Sequence, residues 1–237
     1  MTNPSIFKHS SKPTETFGSA KDLAKKNVAA VILAGGQSTR MGGRNKAMLR
    51  INGLTLIEQM VLGPLTYVET VLLSTGRTDY SALPENIIAA GYRLDDSGCL
   101  GPLAGIARAL EWLNSQESYD WLISVPCDTP LLQPDWIIPM ITSASLNPPF
   151  PQKPSALYAL CHGVDHYAHS LWHKSSLKVV EQVLKHHDHS LRWVLKNLNA
   201  RPVDLSEVSA AADFLNINSL VDLKAAEEIF KHRLKES

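Results

Sequence analysis

Gly35 and Gly36, followed by Arg40 and Lys46, stand in one run, V-I-L-A-G-G-Q-S-T-R-M-G-G-R-N-K from Val31 to Lys46, whose residue types suit phosphate. A double glycine permits turns and close approaches closed to residues with a Cβ, so successive N–H groups can face phosphate oxygens. A guanidinium adds a fixed fork of donors and an ammonium a mobile point charge, a combination suited to a triphosphate that releases pyrophosphate. By itself a double glycine would indicate only a tight strand-to-helix turn with two solvated cations. The run is neither G-x-x-x-x-G-K-[ST] nor G-x-G-x-x-G, so the phosphate-loop NTPase and dinucleotide-binding patterns lack their spacing.

A second run, W-L-I-S-V-P-C-D-T-P from Trp121 to Pro130, reads as a buried strand ending in a turn that carries Asp128. Ligands of open α/β sheets collect beyond the carboxyl ends of the strands, where this carboxylate should stand. Mg2+ takes oxygen ligands and is commonly held by one or two carboxylates together with substrate phosphates, which makes Asp128 the expected metal ligand. An isolated Asp-Thr-Pro would otherwise be a turn carboxylate capping the next helix. Nothing near Cys127 supplies a base or a second thiol, so it is expected to be structural.

Histidines form the third group. His162, His166, His169 and His173 would share one face of a helix and could hold a transition metal there, with His186, His187 and His189 close behind. Gly163 and the β-favouring stretch from Tyr167 to Trp172 argue for a strand instead, on which these spacings alternate faces and dissolve the site.

Short apolar runs alternating with amphipathic segments must position these groups, the pattern of an α/β fold with a mostly parallel sheet covered on both faces. Val28–Leu33, Glu69–Ser74, Tyr92–Leu94 and Trp121–Val125 are the expected strands of the first half. Leu103, Ile106, Leu110 and Leu113 mark a helix begun by Gly101 and Pro102. In the second half Ser155–Leu160 and Tyr167–Trp172 read as strands and Leu177–Lys185 as a helix, and Ser219 with Asp222 signals the start of a last one. The prolines between 148 and 154 are expected to form a loop inside one domain rather than a linker.

With 237 residues the chain can bury a substantial core, and its equal numbers of acidic and basic side chains leave no excess positive field for nucleic acid. Three widely spaced cysteines and strand-sized apolar runs point to a cytoplasmic protein without a membrane span. Residues 1–27, rich in Ser, Thr, Lys and Pro, are expected to be a mobile tail before a single domain over 28–237.

Taken together, L-A-G-G-x-S-x-R-M-G with Lys46, the P-C-D-T-P run and Asp95-Asp96-Ser97 before Gly101-Pro102-Leu103-Ala104-Gly105 resemble the molybdenum cofactor guanylyltransferases of the glycine-rich-loop nucleotidyltransferase superfamily. The resemblance implies a three-layer, doubly wound fold in which residues 28–147 bind nucleotide and 148–237 bind the acceptor. It implies Mg2+ as cofactor, with Mg2+ on Asp128, and places Leu33, Ala34, Gly35, Gly36, Lys46, Ser74, Asp96 and Asp128 around GTP, Asp95 competing with Asp96. Arg40, Lys46 and Asp128 would be catalytic, and the phosphate of molybdopterin would attack the α-phosphorus. His166 and the asparagines of Asn216-Ile217-Asn218 would face the acceptor, and cofactor-synthesis proteins or acceptor molybdoenzymes are further partners. Asn45 stands where the family has aspartate, and Tyr167 where proline follows the histidine. A CTP-using enzyme, one with another phosphorylated acceptor, and a non-catalytic nucleotide or molybdopterin carrier remain alternatives.

Overall fold

Along the first strand, β1 (Val28–Leu33), side chains alternate between two separate cores, which fixes the layering of the whole molecule. Val28, Ala30 and Ile32 face one core and Ala29 and Val31 the other, the period of two that a strand buried on both faces imposes. The structure is a computed structural model and describes residues 21–22, 27–35, 45–75, 91–94, 101–146, 155–185 and 190–236.

After β1 come a short hairpin, β2 (Arg50–Ile51) and β3 (Leu54–Thr55), then α1 (Leu56–Leu62), β4 (Thr70–Ser74), β5 (Gly91–Leu94), α2 (Gly101–Asn114) and β6 (Trp121–Pro126). The second half supplies α3 (Ile137–Leu146), β7 (Ala156–Cys161), β8 (Val164–His173), α4 (Leu177–Lys185), α5 (Leu191–Asn197), β9 (Arg201–Asp204) and α6 (Leu220–Glu236). Seven strands form one sheet in the order β5-β4-β1-β6-β8-β7-β9. β8 alone runs against its neighbours. This is the three-layer, mostly parallel α/β fold expected from the sequence, and β1 and α4 keep their expected bounds.

One face of the sheet is covered by α1 and α3, through Ile57, Met60, Ile137 and Met140, and the other by α2, α4 and α5, through Leu103, Leu110, Val180 and Val194. Buried tryptophans find partners for their N–H groups: Trp136 donates to Pro64 O at 3.1 Å and Trp172 to Ser124 Oγ at 3.0 Å. α6 closes a third, smaller cluster of Ile51, Leu56, Leu131, Ile217 and Ala226. Arg233 on α6 donates to Leu131 O at 2.5 Å and pairs with the buried Asp213, fastening that helix to the segment just after Asp128.

Two features place the site. α2 begins at Gly101, whose φ of +77° favours glycine, and comes so close to the sheet that a Cβ at Gly105 would lie 2.2 Å from Ser74 Oγ. In β8 the register with β7 jumps from Ser170 opposite Tyr158 to His166 opposite Ala159. Tyr167, Ala168 and His169 therefore bulge out at the level where β6 ends, the kind of irregularity that re-aims side chains beside active sites.

Candidate active site

The carboxyl ends of β1, β4 and β6 are stitched together by backbone hydrogen bonds. Ala34 N donates to Ser74 O at 2.9 Å and Cys127 N donates to Leu33 O at 3.3 Å. Leu33, Ala34 and Gly35 thus leave the sheet between Ser74 and the turn that carries Asp128. Ser74 and Ala34 are buried there and Gly35 is exposed. Gly36, Arg40, Asp95 and Asp96 lie outside the described residues.

Lys46 enters from a short helical turn, Lys46–Met48, capped by Asn45, whose Oδ1 accepts the Ala47 N–H at 3.1 Å. Asn45 therefore supplies the oxygen a cap needs without a charge. The Lys46 ammonium donates to Asp128 Oδ2 at 2.5 Å and to Asn218 Oδ1 at 2.8 Å. Both side chains of the ion pair are mostly buried, with 16% and 19% exposure. The other oxygen of Asp128, Oδ1, is buried and has no hydrogen-bond partner among the described residues. A desolvated carboxylate oxygen without a donor is unfavourable unless a cation or donor meets it.

The third participant, the strap from Phe214 to Ser219, is held on both sides. Ile217 N donates to Asp128 O at 2.9 Å. Asn218 N and Ser219 Oγ each donate to Asp222 Oδ2 at 2.9 Å, and Ser219 Oγ caps α6 by accepting the Asp222 N–H at 3.2 Å. These donors, the Asn218 amide first, hold the Asp222 carboxyl below its usual range.

Next to this junction opens a cleft of about 310 Å³ lined by Asp128, His166, Tyr167, His169, Asn216 and Asn218, among others. His166 stacks on Phe214 with ring centroids 3.9 Å apart. His169 meets the same ring edge-on at 5.0 Å and Trp136 at 5.8 Å. Its Nε2 shares a 2.9 Å hydrogen bond with Thr129 Oγ1. Desolvation, assisted by His166, pushes the His169 pKa down to about 3, so the ring is neutral. Burial pushes the Cys127 thiol up to about 12, in keeping with a structural residue.

Of the residues singled out in the sequence, the structure gathers Leu33, Ala34, Gly35, Ser74 and Asp128 at one edge of the sheet, with Lys46 bonded to both Asp128 and Asn218. His166 and Asn216 share the adjoining cleft. His166, His169 and His173 lie on β8 as expected, His162 sits in the turn before it, and His186, His187 and His189 lie outside the described residues, but simple alternation does not separate the strand histidines. The bulge brings His166 and His169 within 5.9 Å, while His173 turns away to pack on Trp121. No group of three or more His, Cys, Asp or Glu side chains that could hold a metal is gathered among the described residues. Thr129, Phe214 and Gly105 carry no role in the sequence motifs, yet the structure places each at the site. Gly105, as the last residue of G-P-L-A-G, and Thr129, within P-C-D-T-P, had a signal in the sequence, whereas Phe214 had none.

Comparison with known proteins adds relatives to this geometry. A family model described as the MobA-like NTP transferase domain matches residues 30–203. A molybdenum cofactor guanylyltransferase of Shewanella putrefaciens is 31% identical over 198 residues, covering 82% of this chain and 93% of that protein. One from Helicobacter pylori is 30% identical over 209 residues, covering 87% and 95%. Among solved structures, molybdopterin-guanine dinucleotide biosynthesis protein A from Archaeoglobus fulgidus superposes with a TM-score of 0.66 at 21% identity, over 86% of this chain and 99% of that one. A 4-diphosphocytidyl-2C-methyl-D-erythritol synthase from Anaerococcus prevotii shares the fold with a TM-score of 0.64 at 10% identity, over 90% and 100%.

Proposed function

The chain belongs to the MobA-like NTP transferase domain family and is a nucleotidyltransferase, and from that premise we propose that it transfers GMP from GTP to the phosphate of molybdopterin, releasing pyrophosphate. The observation that carries this reading is the junction of Lys46, Asp128 and Asn218. It joins the glycine loop, the acidic turn and the strap beside the cleft at a single point. A donor nucleotide over Gly35 and an acceptor in the cleft would meet there, with Lys46 between them.

The residues divide the work accordingly. Leu33 and Ala34 lead out of β1 into the loop, whose backbone N–H groups at Gly35 and Gly36 receive phosphate oxygens, Ser74 and Asp96 hold the nucleoside, and Arg40 and Lys46 meet the charge that grows on the transferring group. Asn216, Asn218 and His166 orient the acceptor, whose phosphate is already ionised and needs no protein base. Positioning and fixed charge therefore supply most of the rate. The buried, unpartnered Oδ1 of Asp128 fits a divalent cation, and Mg2+ is the ion proposed because one carboxylate with substrate phosphates satisfies it. Mg2+ held by Asp128 would supply neutralising charge to the phosphate oxygens. Residues 28–147 form the nucleotide side and 148–237 the acceptor side of one domain.

No helix among the described residues is long and apolar enough to cross a membrane, and the buried thiols of Cys127 and Cys161 are free. The cytoplasm is the proposed compartment. Asn45 keeps the cap of the Lys46–Met48 turn through its amide oxygen, and pyrophosphate release separates a catalyst from a carrier. The test is pyrophosphate release from each nucleoside triphosphate, with and without Mg2+ and molybdopterin. Release from GTP alone, requiring both additions, supports the reading. Preference for CTP would replace the nucleotide, and GTP binding without release would make the protein a carrier.

A further inference from the structure

His169 is 3% exposed, yet it is the wrong residue for a site that needs only packing. Its Nδ1 is buried without a partner among the described residues, a defect that phenylalanine, similar in shape, would not carry. What a phenylalanine would lack is the 2.9 Å bond between Nε2 and Thr129 Oγ1. Thr129 is itself fully buried and follows Asp128 directly. The turn it belongs to is fixed elsewhere by backbone contacts, from Ile217 N to Asp128 O and from Cys127 N to Leu33 O, and by the ion pair of Asp128 with Lys46. On its other sides His169 is wedged between the edge of Trp136 and the ring of Phe214, which begins the strap carrying Asn218. The bulge in β8 is what delivers the imidazole to this place.

The geometry points to His169 as a positioning residue for the transfer reaction, acting through Thr129 to hold the Asp128 turn in register with Lys46 and the Asn218 strap. Although it forms part of the cleft wall, the role assigned to it runs through Thr129 and not through the reacting atoms. Either direction of the hydrogen bond serves, hydroxyl donating to the ring nitrogen or ring N–H donating to the hydroxyl, since both fix the rotamer of Thr129 and the course of the chain on either side. A shift of the turn would move both Asp128 oxygens, one bound to Lys46 and one unpartnered, while leaving the glycine loop and Ser74 in place. Loss of the bond should therefore act on turnover and on the demand for divalent cation more than on GTP binding.

This inference rests on the reading of the protein as a GTP-using nucleotidyltransferase. The parent chain is accordingly assayed first for Mg2+-dependent pyrophosphate release with GTP and molybdopterin, and failure there would count against that reading and not against His169. With an active parent, Thr129→Val and His169→Phe should each lower kcat by about tenfold, the effect of one buried hydrogen bond, with KM for GTP within about threefold of the parent. Both should raise the Mg2+ concentration for half-maximal rate. Thr129→Ser, which keeps the hydroxyl, and His169→Gln, whose amide reaches toward the position of Nε2, should recover most of the rate. The double variant Thr129→Val with His169→Phe should be no slower than the worse single one, because both remove the same bond. Should His169→Phe fail to fold, the Thr129→Val and Thr129→Ser pair decides alone. Thermal midpoints are measured alongside. Unchanged kcat and Mg2+ dependence in Thr129→Val, additive losses in the double variant, or a loss of midpoint with kinetics intact would each overturn the inference.

Discussion

The Nζ of Lys46 lies 2.5 Å from Oδ2 of Asp128, joining residues 82 positions apart in the sequence. Each charge is mostly shielded from water, and each is the other's neutralising partner until a ligand arrives. On the proposed reading, a triphosphate brought with a divalent cation would offer both a better arrangement, phosphate oxygens for the ammonium and a metal for the carboxylate. On that reading the pair holds the site assembled in the free protein and would give way to substrate without leaving either charge stranded.

Asp128→Asn keeps the shape of the side chain and removes its charge. Turnover should fall by roughly 10²-fold or more at saturating Mg2+, with little change in the thermal midpoint. Steady-state pyrophosphate release and a melting curve together check this. Near-normal turnover would remove Asp128 from the metal site.

Lys46→Ala should weaken GTP binding by about tenfold to a hundredfold, the effect of losing a charge-assisted contact of about 1.5–3 kcal/mol, and leave guanosine binding nearly unchanged. Calorimetric titration of both ligands makes the comparison. Equal losses for the two would mean that Lys46 supports the Asp128 turn or the base pocket instead of the phosphates.

Gly105→Ala would drive a Cβ to 2.2 Å from Ser74 Oγ and 2.8 Å from its Cβ. Overpacking of this kind should destabilise the protein by about 1–3 kcal/mol, and it should raise KM for GTP because Ser74 and Leu33 must yield. Adding Ser74→Gly should restore the midpoint but not the affinity. An unchanged KM in Gly105→Ala would show that the close approach of α2 does not serve the nucleotide.

Stability should fall on mild acidification. The ordinary histidine pKa of about 6.5 applies to the unfolded chain, whereas desolvation holds His169 near 3 in the folded one. Between those values the unfolded state binds a proton that the folded state refuses, so stability declines as pH drops, by about 1.4 kcal/mol per pH unit for this residue. Burial also lowers the pKa of His166 and His173, which adds to the slope in the same direction. Urea unfolding between about pH 7 and pH 5 measures it. His169→Gln should flatten the curve, and an identical slope in that variant would contradict the assignment.

The sheet was legible in the sequence where strands are buried on both faces, because Val28–Leu33 and Trp121–Val125 have no competing period. β9 was not: Arg201-Pro202-Val203-Asp204 is short, half polar and broken by a proline, which only its place at the sheet edge accommodates. α1 left a readable sign that went unused, the capping box of Thr55 and Glu58, with Thr55 N donating to Glu58 Oε2 at 2.7 Å. At the site, Lys46 and Asp128 could be read from local motifs, but their contact, the Thr129–His169 bond and the stacking of His166 on Phe214 depend on tertiary placement. The bulge in β8 is the clearest case. Three extra residues reverse which side chains share a face, and no period in the sequence announces them.

The central claim is the transfer itself, and it is tested most directly with GTP labelled at either the α- or the γ-phosphate, incubated with the full chain, Mg2+ and molybdopterin. The α-label should appear in a product containing both guanosine and the pterin, while the γ-label leaves in pyrophosphate. An α-label that stays in free nucleotide while the γ-label appears as orthophosphate would show a hydrolase, and would contradict the account.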